Sequence, residues 1–177
     1  PCVRHDEEQM GRLAAQALLE GHHRDIGVIE LDPNDGEAAP GRRVGCRTYL
    51  EQAGIPWSTV HVAVGHGTTR DGYAAASRLL TDHPWLTGLV CGNDCMAMGA
   101  YAAIREQGLR VREDVAVIGI DDQELIADQV HPALTTVALP FEEMGQVAVS
   151  HLLALMEGEE VPAETLLPGT IIRRSSA

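Results

Sequence analysis

Continuous apolar runs, rather than alternating ones, punctuate the chain. They are IGVIEL at Ile26–Leu31, VHVAV at 60–64, LVC at 89–91 and VAVIGI at 115–120. They recur roughly every 30 residues, the size of a βαβ unit. A strand that is apolar at every position is buried on both faces, which implies a parallel sheet covered by helices on both sides. Between the runs the apolar period lengthens to that of a helix. Met10, Leu13, Ala14, Ala17 and Leu18 follow Asp6, which with Gln9 forms a plausible capping box. Further helices are expected at 41–53, ending at Gly54, at 69–82, stopped by Pro84, and at 95–107, ending at Gly108. Another starts at Pro140 and ends near Gly158, with Phe141, Met144, Ala148, Leu152 and Leu155 on one face. Short strands are expected at 1–5 and 170–173, and a one-turn helix at 123–127.

The strands end in polar residues. Asp32 and Asn34 follow the first run, Gly65-His66-Gly67 the second, Asn93-Asp94 the third and Asp121-Asp122 the fourth. In open parallel sheets ligands bind outside the carboxyl ends of the strands. Asp94 reads as the N-cap of the helix after it and Asp122 as the cap of the short one. Capping accounts less well for Asn93 and Asp121, whose acceptors and donors suit a hydroxyl-rich ligand. Two chemistries fit acids in this place: a Mg²⁺-assisted phosphoryl site, or reversible binding of a small polar molecule.

Composition narrows the choice. All thirteen cations are Arg, and a phosphoryl site without any Lys lacks its usual cation. The formal charge of −13 repels phosphate backbones, so these residues are not expected to grip nucleic acid themselves. No Walker, dinucleotide or nucleophile-elbow motif occurs. Cys2, Cys46, Cys91 and Cys95 lack the spacing of a metal site and read as free thiols in a reducing compartment. No residue is assigned to catalysis, and no metal or cofactor is expected. No run spans a membrane. The chain begins Pro1-Cys2-Val3, without Met, and strand 1–5 has no upstream partner, so more chain is expected before it.

Three ordered motifs carry a resemblance: N-D-x-M-A-x-G-A at 93–100, G-L-R-V-x-x-D-V-A-V-I-G-I-D-D at 108–122 and P-x-L-T-T-V at 132–137. Together they resemble the C-terminal half of the lactose/galactose repressor (LacI/GalR) family of transcription regulators. CVRHDEEQMGRLAAQALLEGHHRDIGVI and GRRVGCRTYLEQAGI are similar to earlier parts of the same half. The resemblance implies an α/β, type I periplasmic-binding-protein-like effector domain, truncated at its N-terminus and lacking the DNA-binding headpiece. Residues 1–25 would be a remnant of the first subdomain and 26–138 the second. Residues 139–160 would form a helix returning to the first, and 161–177 a final strand and tail.

The resemblance also implies an effector site at Arg42, three before Gly45, with Asn93, Asp121 and His66; where several members place a stacking aromatic, this chain has Gly67 with His66 beside it. It implies a cytoplasmic homodimer in contact through Met98, Ala102, Leu125 and Ile126, a sugar or related effector, and operator DNA bound through the absent headpiece. Glu30-Leu31-Asp32 and Gly67 depart from the family pattern. A solute-binding protein of a sugar importer is the alternative, because it shares the fold.

Overall fold

The structure, a computed structural model, describes residues 1–34, 36 and 38–177. The apolar runs are strands: β2 (Ile26–Leu31), β3 (His61–Gly65), β4 (Gly88–Cys91) and β5 (Ala116–Asp121), with β1 (Cys2–His5) before them. Two further strands, β6 (Thr135–Ala138) and β7 (Glu164–Leu167), were not expected; β8 (Thr170–Ile172) was. A six-stranded sheet has the order β3-β2-β4-β5-β6-β8, parallel except for β8 against β6. The strand at residues 2–5 does have a partner: β1 pairs in parallel with β7 in a separate two-stranded sheet.

The helices are α1 (Glu7–Glu20), α2 (Ala38–Gln52), α3 (Thr69–Asp82), α4 (Asp94–Glu106) and α5 (Phe141–Met156). Side chains alternate across the main sheet. Ile29, Leu89, Cys91 and Val117 join α3 and α4 residues such as Ala76, Leu79, Met96 and Ile104 in one core. Val28, Val90, Ile118 and Ile120 join Met10, Ala14, Leu18, Cys46 and Leu50 of α1 and α2 in the other. Two buried layers explain why the strands read as unbroken apolar runs. α1 packs on the main sheet, whereas β1 and β7 pair in their own two-stranded sheet.

Each helix pair touches backbone to backbone through glycine. A Cβ on Gly72 would lie 2.2 Å from the Met96 carbonyl oxygen, and one on Gly99 2.1 Å from that of Thr69. We expect Gly99→Ala to destabilise the fold by about 1–3 kcal/mol, because α3 and α4 must separate. An unchanged midpoint in urea unfolding would contradict this.

Two local expectations are revised. Asp6 does cap α1, accepting from the Gln9 backbone N–H at 2.9 Å. The Gln9 side chain, however, does not return to complete a capping box. Its amide pins the turn between β7 and β8, donating to the Gly169 carbonyl and accepting from the Gly169 N–H. No helix forms at 123–127. Asp121 and Asp122 both have positive φ, 126° and 55°, and the chain passes through successive turns instead.

Candidate functional site

The sheet order sets the C-terminal ends of β3, β2, β4 and β5 in a row. Arg42 reaches this row from the second turn of α2, its side chain only 10% exposed. Its Nε donates to Glu7 Oε2 at 2.7 Å, at the start of α1. Its Nη1 donates to the Gly92 carbonyl at the end of β4 and, at 3.3 Å, to Asp121 Oδ1 at the end of β5. One guanidinium thus joins three elements, using the fixed fork of donors that Lys would lack. Asp121 also accepts from Gln123 Nε2 at 3.1 Å. Burial raises its carboxyl above the ordinary aspartate range, opposed by the charge of Arg42. A non-glycine residue at φ 126° is strained, and such strain clusters at ligand sites.

The Asn-Asp pair is assigned the other way round from the sequence expectation. Asn93, not Asp94, caps α4: its Oδ1 accepts from the Met96 N–H at 2.8 Å. Its Nδ2 donates to the Gly67 carbonyl at 3.0 Å, tying the loop after β3 to the end of β4. Each end of that side chain still has one hydrogen-bonding position over. Asp94 is fully buried. Its Oδ1 accepts from the Thr136 hydroxyl at 2.6 Å and its Oδ2 from the Gln123 N–H at 2.8 Å. Gly119 makes room for it, since a Cβ there would stand 2.1 Å from Asp94 Oδ1. Burial pushes the Asp94 carboxyl up to about 7. Asp122 does not cap a helix either; it pairs with Arg174 Nη2 at 2.7 Å.

His66 directly follows β3. It is exposed beside edge strand β3, its backbone N–H donating to Asp71 Oδ2 at 3.2 Å. Hydrogen bonds from Asn34, and after them an electrostatic contribution from His66, hold the Asp32 carboxyl low. The expected contact residues also divide. Leu125 is 87% exposed and Ala102 exposed on α4, Met98 is half-buried, and Ile126 is buried in the chain's own fold at 7%. Glu7 was missed. An acid in the first turn of a helix reads as a dipole-stabilising surface charge, and nothing local marks its partner 35 residues on.

Among the described residues no group of three or more His, Cys, Asp or Glu is placed to hold a metal ion. Among the described residues no helix is long and apolar enough to cross a membrane. All four cysteines are free; Cys46 and Cys91 are buried, and burial pushes the Cys46 thiol up to about 12.

A doubly covered parallel sheet with an Arg-carboxylate cluster at its strand ends is the frame of a binding-protein domain. The periplasmic binding protein-like domain matches residues 15–177, and the chain belongs to that family. The HTH-type transcriptional repressor PurR of Yersinia pestis is 39% identical over 171 residues, 94% of this chain and 49% of that protein. The chain therefore spans about half the length of the curated relatives it matches. Among solved structures, the transcriptional regulator CelR in complex with cellobiose superposes with a TM-score of 0.89 at 34% identity, covering 99% of this chain and 53% of that one. A LacI family transcriptional regulator from Enterococcus faecium with bound ribose superposes with a TM-score of 0.86 at 30% identity, covering 98% and 64%. Over nearly its whole length the chain is similar to the effector-binding part of LacI/GalR-type regulators.

Proposed function

We propose that this chain senses a small polar effector, a sugar, for a cytoplasmic transcriptional repressor, and that the effector binds across the strand ends at Arg42 and Asp121. The observation that carries this reading is the nearly buried guanidinium of Arg42, held between Glu7, Gly92 and Asp121 where the strands end. Sugar hydroxyls can exchange with these donors and acceptors without any covalent step. Similar proteins hold cellobiose and ribose. Asn93 has hydrogen-bonding capacity left for the same ligand. His66 borders it from the β3 side.

In this reading operator DNA is gripped by a headpiece outside this chain, as its net charge of −13 favours. Residues 26–138 belong to the second subdomain, with α1 packed beneath them. β1, β7 and α5 belong to the first. No residue of α5 is buried, and Phe141, Leu152, Leu153 and Met156 are more than half exposed. The rest of the first subdomain covers that face. Ala102, Leu125 and the exposed part of Met98 meet a second copy. Effector binding then changes subdomain closure and operator affinity through a coupling on the order of 1–3 kcal/mol.

Asp121→Asn tests the site. It keeps the shape and removes the charged acceptor, so sugar affinity should fall about tenfold or more in a calorimetric titration. Equal affinity in both proteins would remove Asp121 from the site.

A further inference from the structure

Glu30 stands where an apolar residue is expected. It lies on the face of β2 that carries Val28, opposite the α1–α2 layer, and its side chain is 7% exposed. Its Oε2 is 3.4 Å from Nη1 of the half-exposed Arg43. Its Oε1 has no hydrogen-bond partner. Buried carboxylate oxygens are ordinarily paired, so one left open calls for a ligand.

Glu30 lines a cavity of about 20 Å³ whose walls include Gly11, Leu31, Ala39 and Cys46. That is room for about one water-sized group. Arg42 and Gly92 line the same cavity, so it adjoins the strand-end site. Glu7, Glu30 and Asp121 are gathered around Arg42 and Arg43, and His5 Nδ1 lies 3.5 Å from the other oxygen of Glu7.

We propose that Glu30 is a specificity-determining residue of the effector site, its free Oε1 accepting from one donor group, a hydroxyl or a primary ammonium, that protrudes from the effector past Arg42. The inference rests on the effector reading above and adds what that effector must carry. A ligand without a protruding donor leaves the oxygen unpaired and is discriminated against.

The test is calorimetric titration of the full-length protein with cellobiose, D-ribose, D-glucose and D-glucosamine, in wild type, Glu30→Gln, Glu30→Leu and Arg42→Ala. Glu30→Gln should weaken the sugar that wild type binds by about tenfold for a hydroxyl donor and about a hundredfold for an ammonium. Glu30→Leu should weaken it at least as much while melting no lower than wild type, since it restores the apolar face. Thermal melts check folding, and Glu30→Gln alone decides if the leucine variant does not fold. Full affinity in both Glu30 variants, with binding lost in Arg42→Ala, would overturn the inference and leave the effector reading standing. Absence of binding by wild type to every sugar would overturn both.

Discussion

Arg42→Met should lower folding stability by about 3–5 kcal/mol at pH 7.5, more than a typical substitution at the protein surface. The guanidinium is the shared partner of Glu7 and Asp121, whose side chains are 11% and 17% exposed. Methionine fills much of the volume but leaves two carboxylates facing one another without a counter-charge. The deficit should shrink toward pH 5. Burial already raises the Asp121 carboxyl, so acidification favours its neutral form and the repulsion falls. Pairing Arg42→Met with Asp121→Asn should recover part of the loss, as expected for residues in one network. Urea unfolding of the three variants at the two pH values measures each term. A loss below about 1 kcal/mol, or one independent of pH, would mean the cluster is not coupled as its geometry implies.

Asp94 provides the second large effect. Its carboxyl titrates near 7 in the folded chain and near 4 when unfolded. Between those values the folded state binds more protons than the unfolded state, so stability falls as pH rises from about 4 to about 7. The contribution is fully present below the unfolded value and is lost through the folded one. Asp94→Asn removes the titration and keeps an acceptor for the Thr136 hydroxyl or the Gln123 N–H. Wild type should therefore lose stability relative to Asp94→Asn across this window, and the two curves should run parallel above it. Parallel curves throughout pH 4–7 would show that burial does not raise this carboxyl. Asp94→Ala should be worse at every pH, because it strands both donors.

Much of the fold was legible because its determinants are local. Unbroken β-branched runs marked β2 to β5, and helical period with Gly and Pro stops marked the helices. β6 and β7 were not legible. TTVA and ETLL are four residues each, and their partners lie far away in sequence. The helix expected at 123–127 failed because the preceding two Asp residues take positive φ, which composition does not reveal.

At the site, Asn93 and Asp121 were legible from their place at the strand ends, whereas Arg42 entered only through family resemblance. The assignments of Asn93 and Asp94 were interchanged because a one-residue shift decides which of two neighbouring polar residues caps a helix. What buries Asp94 is Gly119 and Thr136, on two other strands. Glu7 was invisible as a site residue for the same reason, while Glu30 showed in the sequence only as a departure from the family pattern. Each acquires its meaning only beside an Arg supplied by α2.

The most direct test of the central claim is thermal denaturation of the full-length protein against a panel of mono- and disaccharides that includes cellobiose and ribose. A ligand at a hundred times its Kd stabilises by about 2.7 kcal/mol, a shift of several degrees. One sugar should raise the melting temperature saturably in wild type and fail to do so in Arg42→Ala. No shift with any sugar, or the same shift in Arg42→Ala, would contradict an effector site at these strand ends.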